Sequence, residues 1–560
     1  MRLFMAEKKK GRREANFLIQ GSILAIASVI VRLIGIIYRI PLTNILGDGG
    51  NAAYTNAYEI YSLIWMIASF GIPTAVSKMV AERIGNKQEQ NAGRVFGVAI
   101  LFATVVGGAA FCILFFGAGF FAHVVYKRAE IEYALMILAP TVWVSAFLGA
   151  FRGFFQGHGT MVPTAVSQIV EQIINAVMSI LGAWVLWNMG HRLDLLHSED
   201  IWSDTLGAAG GTVGTLSGAV AGLLVCIVIY RMYYSSGSRE LTGGSAVKES
   251  YKSLLSTLVL MILPITLNSA IYNISSVLDS TIFSNYADMA GMSSQAYQIS
   301  WNAYSGKYHL LTHVPLAFAT ALSASAVPNL SRTLKTSAPS EITHKIRTAI
   351  RFAMLIAIPS CVGLAVLSKP ILQLLFAGTP ESNDLASVLL KAGGITVILY
   401  SFSTITNGVL QGIGRVTEPA KNAAAALVAH LVILVVCLWV FPFGIYGVVI
   451  ADIIFGLMMN IMNYRSIYRA IRFRLEIRYT FLLPGISSIL MGAAAWGSYK
   501  GLYYLTSSNA VSVLLAICVA VVIYASALLL TGGITESDLK SFPKGTLLVR
   551  IAKKLHLLRK

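Results

Sequence analysis

An all-α integral membrane protein of about fourteen helices, arranged as two six-helix halves followed by a further pair, is what three observations predict. Hydrophobic residues make up 56% of the 560 positions and charged residues only 12%, a balance foreign to soluble globular domains. The apolar residues fall in stretches of about 20, the length that crosses a bilayer. The heptapeptide Gly-x-x-Gln-Gly-x-Gly occurs twice, at Gly153, Gln156, Gly157, Gly159 and at Gly408, Gln411, Gly412, Gly414, offset by 255 residues.

Taken in order, the apolar stretches begin near residues 17, 53, 95, 131, 161, 210, 254, 297, 348, 384, 420, 444, 479 and 510. Loop charges give them a direction, because basic residues accumulate on the cytoplasmic side. Starting inside, the cytoplasmic segments hold Lys8, Lys9, Lys10, Arg12 and Arg13, then Lys78, Arg83, Lys87 and Arg94. Arg231, Arg239, Lys248 and Lys252, then Arg332, Lys335, Lys345 and Arg347, continue the series, which the run Arg465 to Arg478 and a basic tail complete. The other side offers few cations and an acidic loop with Asp194, Glu199, Asp200 and Asp204. Both termini are therefore expected in the cytoplasm. The expected organisation is a basic tail at 1–16, a first half at 17–236, a second at 250–472, an extra pair at 477–533 and a second basic tail at 534–560. The first span continues past Ala25-Ile26-Ala27, a triplet that imitates a cleavage site, and reads as uncleaved.

The net charge of +18 is assigned to anionic lipid headgroups beside the spans; no nucleic-acid module is recognisable, so nucleic acid is not an expected partner. Cys112, Cys226, Cys361, Cys437 and Cys518 stand singly within apolar stretches, which suits packing rather than redox or metal chemistry. No metal, cofactor or catalytic residue is expected, and the short outer loops carry no cluster of acids that a membrane enzyme would need.

The repeat extends beyond the heptapeptide. Pro73 and Pro328 also lie 255 apart, each followed by a hydroxyl and a basic residue. Internal duplication in so apolar a chain is the pattern of a secondary transporter. Each heptapeptide falls at a junction between spans, where glycine allows a tight turn and close helix approach; the expectation is that Gln156 and Gln411 bond carbonyls freed at that turn.

Charges inside spans are costly and mark function by default. Arg32 and Arg39 lie seven residues apart in the first span, on one helix face, with Arg32 about 22 Å above the start of the span at 1.5 Å per residue. Two guanidiniums on one stripe suit a doubly anionic group such as a pyrophosphate; alternatively Arg39, near Pro41, snorkels to headgroups. Glu59 opens the second span, where it could pair with Arg39 across a short loop or could bind a proton or sodium ion. Asp279 is deep in the seventh span after Asn268 and Asn273, and Glu171 sits in the fifth between Gln168 and Gln172. Asp279 and Glu171 could each carry a proton or sodium ion, or partner an arginine. Lys307, His309 and His313 head the eighth span before Pro315, and Lys391 and Asp452 lie nearer the outer interface. The expected cavity residues are Arg32, Arg39, Glu59, Asp279, Lys307 and His309.

The stretches Val31-Arg32-Leu33-Ile34-Gly35, Tyr38-Arg39-Ile40-Pro41-Leu42, Gly71-Ile72-Pro73, Phe151-Arg152-Gly153-Phe154-Phe155-Gln156-Gly157 and Ala321-Leu322-Ser323 resemble the polysaccharide-transporter branch of the multidrug/oligosaccharidyl-lipid/polysaccharide exporter superfamily, near its stage V sporulation B and MurJ-type lipid II flippase groups. The resemblance covers essentially the whole chain. It implies two six-helix lobes around an alternating-access cavity, with two added helices forming a groove for a lipid tail. It implies a flippase in the bacterial cell membrane that moves an undecaprenyl-pyrophosphate-linked glycan, lipid II or another cell-wall or spore-cortex precursor, to the outer leaflet, with Arg32 facing the pyrophosphate. Cell-wall synthesis machinery would be a partner. A multidrug or cation antiporter of the same fold is the alternative. Two positions depart from the pattern: Tyr38 stands where a second arginine is expected, and Leu310 stands nearest an expected eighth-helix arginine.

Overall fold

The computed structural model describes residues 2–197, 201–235, 248–336, 339–415, 417–534 and 549–550. Within these, the side chains of 1–23, Asn268, Asn273, Pro328, Ser331, Arg332 and Lys335 lie outside the described residues, as do Glu199, Asp200, Arg239 and most of 534–560. The described residues are almost all helical and contain no strand.

Ten helical stretches among the described residues are long and apolar enough to cross a bilayer, and eleven if the bent pair Pro380–Gly393 and Ile395–Gly412 is counted as one span. The expected fourteen is therefore not reproduced by this count. One stretch, Ile30–Gly85, covers the first two expected spans together. Within it Gly47 has φ 73° and ψ −170°, a backbone state that breaks helical geometry and that glycine adopts without a Cβ penalty. The helices Tyr251–Met289 and Leu310–Thr336 are continuous, and among the described residues Tyr251–Leu263 of the former is apolar.

By compactness the chain divides into Met1–Gln298 and Ile299–Lys560. This boundary differs from that of the sequence repeat, because helix Tyr251–Met289 packs with the first unit. A clamp explains why. Arg83, only 9% exposed, donates two hydrogen bonds to Glu249 at 3.0 and 2.8 Å, Arg94 donates to the Glu249 carbonyl at 2.6 Å, and the Asn91 side chain accepts from the Glu249 amide. A bidentate arginine–carboxylate pair fixes orientation as well as distance, so the chain is tied to the first unit just before the seventh helix begins. At the far end, the Ser284 hydroxyl bonds the Tyr126 carbonyl and Asn285 bonds the Val125 carbonyl at 2.9 Å.

In the first unit, Val162–His197 and Trp202–Ser235 meet along a seam of glycines. A Cβ on Gly210 would strike the Gly182 carbonyl, and one on Gly182 would strike that of Gly210. Gly214 lies against Asn175 and Ser179, Gly218 against the Glu171 backbone, and Gly190 against Trp202. Because lipid is as apolar as leucine, such pairs are held by close packing, which small residues four apart permit. Gly210, Gly214, Gly218 and Gly222 have that spacing.

The two heptapeptides end their helices in the same way. Gly159 and Gly414 have φ of 79° and 82°, and the Thr160 amide bonds the Phe155 carbonyl as the Arg415 amide bonds that of Leu410. This is the left-handed glycine stop of a helix C-terminus. Upstream, a Cβ on Gly153 would come within 2.8 Å of the Pro73 carbonyl and the Val76 side chain, and one on Gly157 within 2.6 Å of Val80. The glutamines do not bond freed carbonyls: Gln156 reaches the Thr164 hydroxyl at 3.4 Å, and Gln411 is exposed.

In the second unit, helices Leu483–Thr506 and Asn509–Leu530 pack together and onto the Pro339–Val366 region through Leu367, Met491, Ala495, Ala516 and Ala520. Two side chains fasten them: Tyr524 donates to the Leu355 carbonyl at 2.8 Å and Asn509 to that of Pro370 at 3.0 Å.

Candidate functional site

In the first unit the polar side chains gather on the first two expected spans and the helices beside them. Arg32 is exposed, and among the described residues it makes no ion pair. Gly35, one turn on, lies close to Gln172, whose Nε2 would be 3.2 Å from a Cβ there; glycine is what brings the first helix this near to Val162–His197. Arg39 lies seven residues further, about 10 Å along the axis. Its guanidinium rests over the rings of Tyr54 and Tyr58 at 5.8 and 5.5 Å, with those rings stacked 5.8 Å apart. Aromatic faces hold a cation in apolar surroundings without neutralising it, so Arg39 keeps its charge and its donors near the tyrosine hydroxyls.

Glu59 does not form an ion pair with Arg39. The tyrosines one turn earlier occupy the guanidinium faces, and the Glu59 carboxylate turns instead toward Ser280 and Asp279. Its Oε2 is buried with no hydrogen-bond partner, and so is the Tyr54 hydroxyl. Asp279 is 2% exposed, and the neighbouring Ser280 hydroxyl lies 2.6 Å from that of Tyr126. Two carboxyl groups thus come together, one of them carrying an orphaned oxygen. An orphaned buried acceptor costs about 1–3 kcal/mol, a cost that a bound proton or cation would remove.

Glu171 is placed differently. Arg152 donates to it at 2.6 Å while also donating to Ser167 at 2.9 Å, so this carboxylate is engaged by an arginine of the heptapeptide-bearing helix. Arg152 stood in the sequence directly before the repeated heptapeptide, in a stretch that carries the family resemblance, but nothing local announced a partner 19 residues on.

In the second unit Lys307 is fully buried. Its ammonium donates to the Thr379 carbonyl at 2.6 Å, the Ser382 hydroxyl at 2.5 Å and the Asn383 side chain at 2.7 Å. Three donors meet three acceptors, which leaves none for a ligand; the lysine ties its own helix to the start of Pro380–Gly393. His309 lies on the same widened turn, Asn302–His309, whose π-type hydrogen bonding often accompanies functional positions. Its ring is 3.4 Å from Asp452. His313 is exposed, as is Lys391.

Comparison with known proteins places this arrangement. Residues 18–334 match the family described as "Polysaccharide biosynthesis protein", and residues 264–436 match the one described as "MatE". Lipid II flippase MurJ of Bacillus subtilis is 25% identical over 435 residues, covering 73% of this chain and 74% of that protein. Stage V sporulation protein B of the same organism is 21% identical over 531 residues, covering 94% and 98%. A solved lipid II flippase MurJ in an inward closed conformation superposes with a TM-score of 0.65 at 15% identity, over 90% of this chain and 97% of that one. Two of these three relatives are described as lipid II flippases. The chain is a multi-pass membrane protein that belongs to the polysaccharide biosynthesis protein family, within the multidrug/oligosaccharidyl-lipid/polysaccharide exporter superfamily.

Proposed function

We propose that this chain is a flippase for a lipid-linked cell-wall precursor, with lipid II as the first substrate to test, acting by alternating access from the inner to the outer leaflet of the bacterial cell membrane. The observation that carries the reading is Arg32: an exposed guanidinium in the first span, without an acid partner among the described residues. A cation at such a place is costly, and a pyrophosphate would satisfy it in bidentate fashion. Arg39, held over Tyr54 and Tyr58, is the second cation the diphosphate meets. Glu59 and Asp279 are the acids that carry a coupling ion or receive polar groups of the glycan, and Glu171 serves to orient Arg152. The family description and the similarity to the Bacillus flippase support a lipid-linked glycan. They support a different prenyl-linked polysaccharide equally well.

For an anionic head group the inside-negative potential contributes about 2.3 kcal/mol per charge per 100 mV in the outward direction, enough to drive net export. The prenyl tail stays in lipid throughout, near helices Leu483–Thr506 and Asn509–Leu530.

The test is replacement. In bacteria depleted of their own lipid II flippase, expression of this chain restores lipid II in the outer leaflet. Failure to restore it removes lipid II as the substrate and leaves another prenyl-linked glycan as the cargo. An Arg32→Ala variant loses at least tenfold in translocation at unchanged membrane abundance; normal translocation by that variant removes Arg32 from the site.

A further inference from the structure

Asp452 anchors a second polar centre, wholly within the second unit and assigned no role above. The residue is 5% exposed on helix Ile445–Ile471. Tyr304 donates its hydroxyl to Oδ2 at 2.8 Å, Tyr400 donates to Oδ1 at 3.1 Å, and His309 Nε2 lies 3.4 Å from Oδ2. His430, 1% exposed, is close enough to act on the carboxylate electrostatically. Four residues from three other helical segments thus converge on one carboxylate.

The chemistry of these neighbours decides what the centre binds. A metal cation wants acceptor oxygens turned toward it, whereas here both carboxylate oxygens are met by O–H and N–H donors. Such a carboxylate is stabilised while charged, and the group beside it that can take up a proton is the His309 imidazole. Imidazole is the side chain that exchanges a proton between about pH 5 and 8, and two of them adjoin the acid. A route also exists. His313, exposed one turn from His309, bonds the His309 carbonyl at 2.6 Å, and the two rings are 5.2 Å apart. The His309 ring in turn lies 4.5 Å from that of Tyr304. Exposed His313, half-buried His309 and buried Asp452 form a graded path inward.

We propose that Asp452 and His309 constitute a proton-binding site, loaded through His313, whose occupancy is coupled to transport. Loading takes one proton from solvent hydronium and releases water; the proton rests on His309 beside the ionised Asp452, and the cluster goes from one negative charge to neutral. Among the other ionisable groups nearby, Tyr308 turns to Thr396 and the Gly393 carbonyl at 2.8 and 3.0 Å, and Lys307 to Thr379, Ser382 and Asn383. Cys437 lies against Gly447, Tyr308 is close enough to both Asp452 and Cys361 to feel their charge, and Glu381, Asp384 and Lys391 are exposed. No other acid therefore shares the centre among the described residues. The proton site stands apart from the transport reading; its coupling rests on that reading.

The experiment follows the full-length protein in lipid nanodiscs, without substrate, by hydrogen exchange between pH 5.5 and 7.5 after correction for intrinsic rates. Peptides covering 300–315 and 446–458 show a sigmoidal change in protection in the wild type. Asp452→Asn loses the transition, Asp452→Glu keeps it with a displaced midpoint, and His309→Gln loses it or moves it out of this range. Absence of the transition in the wild type, or its persistence unchanged in Asp452→Asn, overturns the site. In proteoliposomes holding a pH dye, addition of a prenyl-pyrophosphate-linked disaccharide gives a proton signal in the wild type and none in Asp452→Asn. A pH transition with no lipid movement supports the site and overturns the disaccharide-linked lipid as the cargo. Lipid movement at equal rate in both proteins, with no proton signal, overturns the coupling and leaves the flippase reading intact.

Discussion

The fifth and sixth expected spans of the first repeat correspond to the eleventh and twelfth of the second, yet the two pairs are joined by opposite means. Val162–His197 meets Trp202–Ser235 backbone to backbone through Gly182, Gly210, Gly214 and Gly218. Glu418–Val435 meets Ile445–Ile471 through polar side chains: Asn422 donates to Asn463 and Ser466 at 2.9 and 3.3 Å, and Asn463 extends the network to Asn407 and Thr406 of Ile395–Gly412 at 2.8 and 3.1 Å. The first seam leaves no room for a side chain. The second encloses His430 and Asp452. Duplication preserved the helix stop at Gly159 and Gly414 and let the interior of each pair diverge, so one copy became a rigid packing unit and the other a place for ionisable groups.

The largest predicted effect breaks the glycine seam. Gly210→Leu drives a side chain into the Gly182 backbone, which cannot yield without separating the helices; overpacking costs about 1–3 kcal/mol where neighbours can shift and more where they cannot. Loss of the folded protein in detergent extraction and size-exclusion chromatography is expected. Asn463→Leu in the second seam removes the partner of Asn407, leaves Asn422 its bond to Ser466 and Thr406 its bonds to the Phe402 and Ser403 carbonyls, and forces no backbone apart. Interhelical hydrogen bonds in lipid are worth about 0.6–2 kcal/mol, so this variant folds, with a lowered thermal midpoint. Equal loss from both variants would refute the contrast.

Next comes Lys307→Met, which separates anchoring from substrate binding. Removing one partner of a buried, fully bonded charge costs about 3–5 kcal/mol, partly recovered here because the acceptors are neutral and methionine fills the volume. A drop of about 3 kcal/mol in the unfolding free energy of the second unit is expected. A variant with wild-type stability and lost translocation would return Lys307 to the cavity.

Smaller still is the difference between equivalent glycines of the two heptapeptides. Gly153→Ala meets the Pro73 carbonyl and Val76 at 2.8 Å, both rigid. Gly408→Ala meets chiefly the Ser323 hydroxyl, which can rotate at the loss of its 2.9 Å bond to the Thr404 carbonyl. The first is expected to destabilise by about 1–3 kcal/mol and the second by about 1 kcal/mol, read as two thermal midpoints in the same detergent.

What was legible in the sequence tracks how locally each feature is encoded. The helical class, the repeat and its two glycine stops follow from composition and spacing. The glycine seam was equally legible as Gly210, Gly214, Gly218 and Gly222, four residues apart, though only the packing shows which partner it meets. The proton centre was legible only in part: His309, His313 and Asp452 stood out as ionisable residues of apolar spans, but nothing local joined them, and Tyr304 lies 148 residues from Asp452. The fate of Glu59 was not legible: sequence proximity favoured Arg39, but Tyr54 and Tyr58, one turn apart on a helix, present two ring faces at the same place. Nor was the fastening of the seventh helix's approach legible, since Glu249 is gripped by Arg83 from 166 residues away.

The smallest predicted effect compares one exposed ion pair in each unit. Lys127 is 2.7 Å from Asp288 in the first, and Lys369 is 2.8 Å from Asp384 in the second. Asp288 lies on the exposed last turn of Tyr251–Met289, beyond its apolar stretch, and the hydrogen bond from Lys127 holds its carboxyl below the ordinary value. A depressed folded-state pKa means that the contribution is present above the unfolded carboxylate pKa of about 3.9 and fades as pH falls through the lower folded value. Lys127→Met therefore lowers the thermal midpoint slightly at neutral pH, and the difference from wild type shrinks at acid pH and in high salt. Lys369→Met, at a pair with a more exposed acid, is expected to do less, since solvent already screens it. A larger effect at Lys369 would mean that surface charge, and not the buried clamp at Glu249, governs how firmly each unit holds its outer edge.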